Sequence, residues 1–170
     1  MKWLISNHKR NKFISKLTGT TKGNTLVLFQ FVENHGKQLY ETIKLDNQHK
    51  NVFLIHGGIE TDDRERVRGL AEKQKDAVIV ASYGTFSTGI NIKNLHNIIF
   101  ASPSKSRIRI LQSIGRQLRK HESKRIAKLF DIGDNLQWKK KMNHTLRHFF
   151  ERIKLYKIED FVFKTIKIKL

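Results

Sequence analysis

The segment VIVASYGTFSTGINIKNLHNIIFA, residues 78–101, contains two short apolar runs separated by a polar stretch. Both runs are almost continuously apolar, which is typical of strands buried on both faces of a parallel sheet. Runs of the same kind recur along the chain. The predicted strands cover residues 25–31, 51–55, 77–81, 97–101 and 125–132.

Apolar residues recur at helical spacing between these runs. Asn34 can cap one such helix, Thr61 and Ser106 each open another, and a leading amphipathic helix is predicted over 2–17. Strands separated by helices imply right-handed crossovers and a parallel sheet covered by helices on both faces. We therefore predict one α/β domain over residues 1–170, with its core at about 20–135.

The last part of the chain, about 136–170, has a different pattern. Residues 138–156 place apolar side chains on one face of a helix and lysines and arginines on the other, so a basic amphipathic helix is expected there. The final ten residues, FVFKTIKIKL, then alternate, with Ile166, Ile168 and Leu170 on one side. This alternation predicts an edge strand whose lysines discourage unwanted pairing.

The chain is strongly basic: 34 Lys and Arg outnumber 15 Asp and Glu, for a formal net charge of +19. This imbalance favours a polyanionic partner, with nucleic acid as the first candidate. A ribosomal-type packing protein and a membrane-surface binder would carry similar charge. There is no cysteine, no HExxH-like histidine spacing, no apolar run of membrane length and no secretory h-region. These features favour a cytoplasmic protein without a metal site or a membrane span.

Polar clusters follow three of the predicted strands, at the edge of an α/β sheet where ligands gather. They are HGG at 56–58, SYGTFSTGIN at 82–91 and SPSKSR at 102–107. Gly84, Ser87, Thr88 and Gly89 could bring backbone amides and hydroxyls close to a phosphate, although an ordinary loop has a similar composition.

The segment QSIGRQLRK, residues 112–120, is harder to explain as an ordinary surface segment than the three polar clusters are. Gln112, Arg116 and Arg119 share one helical face, and the two arginines present charged forks that suit phosphate oxygens. Gly115 costs a helix ~1 kcal/mol relative to alanine, which makes sense where a ligand or backbone approaches closely. A solvated basic helix end would explain the charges but neither the glycine nor the glutamine.

Taken in order, these segments resemble the second RecA-like domain of superfamily 2 helicases. TLVLFQF resembles motif IV, residues 78–101 resemble motif V, and LQSIGRQLRK resembles motif VI in its QxxGRxxR form. The sequences of these motifs are most similar to those of the recombination and repair helicases of T4-like phages. The similarity extends into the predicted basic helix and terminal strand. The resemblance implies a RecA-like fold of the P-loop NTPase type and a motor that unwinds branched DNA and RNA–DNA hybrids such as R-loops with ATP.

The resemblance also assigns roles to residues. Arg116 and Arg119 would be arginine fingers that reach the γ-phosphate of ATP held on another RecA-like domain. The expected nucleotide-side residues are Gln112, Gly89, Asn91 and Gly115. The expected contacts to the nucleic-acid backbone are Ser82, Thr88, His56, Gly57, Lys105 and Arg107.

The chain contains no GxxxxGK[ST] phosphate loop and no DExD or DExH box. We therefore expect ATP, with Mg²⁺, to be bound mainly by an N-terminal RecA-like ATPase domain, and this chain alone to be inactive as an ATPase. The expected partners are that domain and DNA, or an RNA–DNA hybrid. Two alternatives remain open: a stand-alone, sequence-independent nucleic-acid-binding module, and a structural protein whose basic faces are merely solvated.

Overall fold

The computed structural model describes residues 2–87, 92, 94–102, 127–137 and 141–170. The strands are β1 (Thr25–Phe29), β2 (Val52–Ile55), β3 (Val78–Ser82), β4 (Asn97–Phe100) and β5 (Lys128–Asp131). The helices are α1 (Lys2–Ser6), α2 (His8–Thr20), α3 (Lys37–Asp46), α4 (Thr61–Lys73), α5 (Tyr83–Ser87) and α6 (His144–Ile158), with a π-helical turn at Val32–Gly36.

The described strands form one parallel sheet in the order β2-β3-β1-β4-β5. In its register Val27 lies opposite both Val80 and Ile99. The parallel α/β class expected from the sequence is confirmed, and each strand lies within about two residues of its predicted bounds at the ends that the structure describes. Because β1 is central and fully buried, its residues are apolar on both faces.

Successive residues of β1 point into two separate cores. Leu26 and Leu28 pack in a core with Ala71 of α4 and Tyr156 of α6. Val27 and Phe29 instead pack with residues of α2 and α3, among them Ile14, Leu39 and Ile43. Helices therefore cover both faces of the sheet, as predicted.

Two predicted helix starts differ from the structure. The leading helix is broken at Asn7, because this side chain accepts a hydrogen bond from Arg10 N and so caps α2. Asn34 lies inside the π-helical turn and is not a cap, whereas Thr61 does open α4, with Asp62 and Asp63 in its first turn. The helix predicted from Ser106 lies outside the described residues.

The C-terminal segment also departs from the prediction. The tail helix is present as α6, but Met142 and Phe150, both predicted on its apolar face, are 43% and 46% exposed. Residues 161–170 form no strand, so the predicted edge strand is wrong. Asp160 turns the chain with a φ of 52°, and the Phe161 and Phe163 rings then lie against Tyr156. These aromatic contacts hold the start of the segment against the end of α6.

None of the helices in the described part of the chain is both long and apolar enough to cross a membrane.

Candidate nucleotide and nucleic-acid interface

The strand order brings the predicted polar clusters together at the carboxyl edge of the sheet. Because β2 lies beside β3, the turn after β2 is adjacent to the start of α5. Because β1 lies beside β4, Gln30 is adjacent to Ser102. These two neighbouring pairs of strand ends, with the end of β5 beside β4, make up the described part of this edge.

Ser82 ends β3 and caps α5. Its Oγ lies 2.7 Å from Thr85 Oγ1 and accepts a hydrogen bond from Thr85 N at 3.2 Å. The predicted loop 82–91 is therefore helical over its first residues, Tyr83–Ser87. This part of the loop prediction is wrong because the Ser82 cap and the buried Tyr83 and Phe86 rings stabilise a helical turn within a polar sequence.

His56, Gly57 and Gly58 form a tight turn after β2. Gly58 N donates to His56 Nδ1 at 3.1 Å, and Ile59 N donates to His56 O at 3.0 Å. A Cβ atom built on Gly57 would lie 4.0 Å from Thr85 Oγ1, so this turn lies beside the α5 cap. The structure thus brings His56 and Gly57 close to Ser82; Gly57 is exposed, His56 is half-buried and Ser82 is buried.

Ser102, the residue after the β4 exit, is the centre of a buried polar network. Its Oγ accepts a hydrogen bond from Gln30 N at 3.1 Å and lies 3.0 Å from His35 Nδ1. Its carbonyl oxygen accepts a hydrogen bond from Tyr83 Oη at 3.1 Å. Ser102 is only 1% exposed, so each of these polar atoms exchanges water for a protein partner.

The His35 ring bridges two elements. Its Nε2 lies 3.2 Å from Asn11 Oδ1, and Asn11 Nδ2 donates to Ile5 O at 3.0 Å. Because the Asn11 oxygen can only accept, His35 carries its proton on Nε2 and Nδ1 accepts from Ser102 Oγ. Burial, followed by the nearby Arg10 charge, lowers the pKa of His35 to about 4, so the ring is neutral at pH 7.

Arg10 reaches the same edge from α2. Its Nη1 donates to Ala101 O at 2.7 Å, and its Nε and Nη2 donate to the two carboxylate oxygens of Asp134 at 2.7 and 3.0 Å. Arg10 is 2% exposed. A bidentate pair of this kind fixes the relative orientation of the two side chains as well as the distance between them.

A second buried ion pair joins β5 to α6. Arg152 donates to both oxygens of Asp131 at 2.6 and 2.8 Å, and Tyr156 Oη donates to Asp131 Oδ2 at 2.7 Å. Burial alone would lower the pKa of Arg152, but the hydrogen bonds and charge of Asp131 outweigh it and raise that pKa. The pair attaches α6 to the end of β5. Within the described ranges, no three His, Asp or Glu side chains are grouped as a metal site.

Several predicted site residues lie outside the described residues, and their roles stay predictions. They are Thr88, Gly89, Asn91, Lys105, Arg107, Gln112, Gly115, Arg116 and Arg119.

Sequence patterns did not identify the buried polar residues of this edge, Arg10, Asn11, His35, Tyr83 and Arg152, or the partly buried Asp134. One signal was available for Arg10, which stands three and four residues before the apolar Phe13 and Ile14 and so lies on the buried face of α2. A charge on such a face indicates a buried ion pair. Nothing in the sequence pattern identifies its partner 124 residues away.

Comparison with known proteins identifies the family. Residues 8–121 match the family model described as the helicase conserved C-terminal domain. The chain is 41% identical, over 175 aligned residues, to the ATP-dependent DNA helicase uvsW of Enterobacteria phage T4. This match covers 94% of the chain and 34% of the phage protein, so the chain spans about a third of the length of that relative.

Comparison with solved structures supports the same family and fold. The crystal structure of T4 UvsW superimposes with a TM-score of 0.76 at 40% identity, covering 97% of this chain and 36% of that one. The C-terminal domain of the DEAD-box protein Dbp5 superimposes with a TM-score of 0.63 over 90% of this chain and 81% of its own, but at 15% identity it supports the fold alone. The RecA-like fold is therefore shown, and the chain belongs to the family of helicase conserved C-terminal domains.

Proposed function

We propose that this chain is the C-terminal motor half of an ATP-dependent DNA helicase or translocase that acts with an N-terminal RecA-like ATPase domain. The observation that carries the proposal is the 41% identity to a phage ATP-dependent DNA helicase over 94% of the chain. A shared fold alone would not support it, because one fold serves many functions. The family model of the helicase conserved C-terminal domain also matches residues 8–121, a range that includes the arginine motif.

In this proposal Arg116 and Arg119 act as arginine fingers toward ATP that lies, with Mg²⁺, mainly on the N-terminal domain. A guanidinium fork stabilises the charge that develops on the transferred phosphoryl group. Gln112, which the sequence spacing predicts on the same helical face, senses the nucleotide, Gly115 permits a close approach, and Gly89 and Asn91 contact the ribose or the domain interface. The absence of a GxxxxGK[ST] loop from the chain supports this division of labour.

Within the residues that the structure describes, the turn after β2 is the proposed contact for the nucleic-acid backbone. The exposed Gly57, beside the half-buried His56, can offer backbone and ring donors to phosphate oxygens. Ser82 is 7% exposed and its hydroxyl is hydrogen-bonded to the Thr85 hydroxyl. His56 and Gly57 are therefore better candidates than Ser82 for direct contacts. Thr88, Lys105 and Arg107 complete the proposed surface.

We further propose branched DNA, or RNA–DNA hybrids such as R-loops, as the substrates, in recombination and repair within the cytoplasm of a phage-infected bacterium. The support is the likeness to the phage helicase and the net charge of +19.

The test is reconstitution of the motor from this chain and the matching N-terminal ATPase domain. We expect DNA-stimulated ATP hydrolysis by the mixture and none by this chain alone. Arg116→Ala should lower kcat by roughly 10³- to 10⁵-fold, the range measured for arginine fingers in other phosphoryl-transfer systems. Arg66→Ala, which removes an exposed arginine of α4, is the control and should leave kcat unchanged.

An inert mixture whose C-terminal chain still binds DNA, with or without Arg116, would contradict the proposal. That result would instead favour the stand-alone nucleic-acid-binding module.

A further inference from the structure

The solvent side of α6 carries positive charge without counterions. Arg147, Lys154 and Lys157 are all exposed, and at 3.6 residues per turn they lie within an arc of about 80°. We call these three residues the cation face of α6. Within the described ranges none of them forms an ion pair, and Glu151 is the single acid in the helix. The charge of this face is therefore left to solvent or to a partner.

Uncompensated charge is not a general feature of the surface helices of this fold. Helix α4, which packs on the same face of the sheet as α6, has four basic and four acidic residues, and its Arg66 and Arg68 pair with acids of the same helix. Helix α6 has four basic residues and one acid. The helix dipole favours Lys157 in the last turn but disfavours Arg147 near the amino end. Helix stability alone therefore does not account for the cation face.

The cation face stands on a fixed support at the carboxyl edge of the sheet. Arg152 donates to both carboxylate oxygens of Asp131, the last residue of β5, and Tyr156 packs in the same core as Tyr83 of α5. Around the helix, Arg152 and Tyr156 lie about 140° and 180° from Arg147. The cation face therefore points away from the sheet, at the edge that also contains the turn after β2.

We propose that the cation face of α6 is a second nucleic-acid contact, which binds the phosphate backbone of duplex DNA. This inference rests on the nucleic-acid binding in the proposed function and adds a surface to it. Helix α6 begins beyond residues 8–121, the range that the family model matches. The proposed surface is therefore separate from the helicase motifs.

The geometry of the cation face favours a duplex over a single strand. Its three cations extend over about 15 Å along a rigid helix. Duplex DNA offers one phosphate charge per ~1.7 Å of its axis, so a fixed row of this length meets several phosphates. A single strand is bound instead by successive aromatic rings on which its bases stack. Helix α6 exposes one ring beside the cations, that of Phe150.

The test measures binding of this chain to a short labelled duplex by fluorescence anisotropy at several salt concentrations. Arg147→Gln with Lys154→Gln and Lys157→Gln should reduce the slope of log affinity against log salt by about 2.7, which is three phosphate contacts at ~0.9 each. Over a fourfold rise in salt, the unchanged chain should lose about 40-fold more affinity than this α6 variant. Because the three side chains are exposed and glutamine suits a helix, Tm should shift by a few degrees at most.

The matched control removes the same charge from α4. Arg66→Gln with Arg68→Gln and Lys73→Gln also lowers the net charge by three, and it should leave the slope unchanged. An equal loss of slope in both variants would assign the effect to net charge, and an unchanged slope in the α6 variant would show no contact; either result overturns the inference. If the α6 variant fails to fold, Arg147→Gln alone should lower the slope by about 0.9, and no change would overturn the inference equally.

A single-stranded probe distinguishes the two forms of DNA. At low salt the α6 variant should lose less affinity for the single strand than for the duplex, and Phe150→Ala should leave both affinities within about twofold. A larger loss on the single strand would contradict the duplex proposal. So would a loss of single-strand affinity in Phe150→Ala, because base stacking would then hold the nucleic acid on α6.

Reconstitution with the N-terminal ATPase domain separates this inference from the motor proposal. The α6 variant should raise the duplex concentration that half-maximally stimulates ATP hydrolysis by about 10-fold or more and leave kcat at saturating duplex unchanged, whereas Arg116→Ala lowers kcat. A lower kcat with an unchanged duplex concentration would contradict the inference. If the mixture is inert, the motor proposal is wrong, and the anisotropy of this chain alone still tests the cation face.

Discussion

At the scale of single residues, His35 shows how a titratable side chain is accommodated in the buried polar network at the carboxyl edge of the sheet. It is fully buried, it carries its proton toward Asn11, and it accepts a hydrogen bond from Ser102. Protonation of Nδ1 would place a positive charge in a buried site close to the charge of Arg10, and both burial and this charge disfavour it. The site excludes the charged ring.

This exclusion predicts a pH dependence of stability. The pKa of His35 is about 4 when folded and about 6.5 when unfolded, so the unfolded chain binds more protons between these values. The contribution of His35 to the free energy of unfolding should be complete above pH 6.5. As the pH is lowered toward 4, the free energy of unfolding should fall by up to ~3 kcal/mol. Urea unfolding at pH 7, 6 and 5 measures it.

His35→Gln, which keeps an acceptor and a donor, should flatten this pH dependence, although the variant is less stable at pH 7. His8→Gln is the control, because His8 is exposed. A slope that His35→Gln leaves unchanged would assign the titration to other groups.

At the scale of elements, the π-helical turn before α3 explains how His35 reaches its partners. Gly36 N donates to Phe31 O at 2.8 Å, five residues back, and this wider turn precedes an ordinary α-helix. Gly36 packs flat against the Phe29 ring, leaving no space for a side chain. The contact between the turn and β1 therefore depends on glycine.

A pair of glycine substitutions tests this packing. Gly36→Ala should lower the free energy of unfolding by ~1–3 kcal/mol, since its Cβ would overlap the buried Phe29 ring. Gly69→Ala lies within α4, where an added Cβ meets nothing within 4 Å, and should raise it by up to ~1 kcal/mol. Chemical denaturation measures both, and equal effects of the two changes would show that Phe29 packing is not the cause.

At the scale of the whole molecule, the charge of +19 bears on the proposed binding of nucleic acid. Some of the basic side chains form ion pairs within the chain: Arg10, Lys50 and Arg152 are buried and paired with carboxylates. The tail residues Ile166, Ile168 and Leu170 are more than half exposed and alternate with lysines. The remaining surface cations are available for phosphate contacts, which depend on counterion release.

We therefore expect a steep salt dependence of DNA binding. If the chain neutralises about four phosphates, its affinity should fall roughly 100-fold over a fourfold rise in salt concentration. Fluorescence anisotropy of a labelled DNA junction, titrated at several salt concentrations, gives the slope. Arg116→Ala should leave the slope unchanged, because the proposed role of Arg116 is toward ATP. A flat salt response would count against nucleic-acid binding of any kind by this chain.

Much of the fold could be predicted because its signals are local. Continuous apolar runs mark strands buried on both faces, and the helical spacing between them requires parallel crossovers. The predictions failed where contacts distant in sequence compete with local pattern. Alternation at 161–170 predicts a strand, but the contacts of Phe161 and Phe163 with Tyr156 hold that segment at the end of α6. The polar loop after β3 begins as a helix because Ser82 caps it.

The sequence by itself determined the class of sheet, the family motif and its order, because these depend on residue type and spacing along the chain. Only the tertiary structure decided that Arg10 pairs with Asp134 across 124 positions, that His35 is neutral, and that Gly57 meets the α5 cap. The physical reason is that these properties arise from burial and from partners far apart in sequence. Desolvation and hydrogen-bond geometry exist only once the strands have assembled.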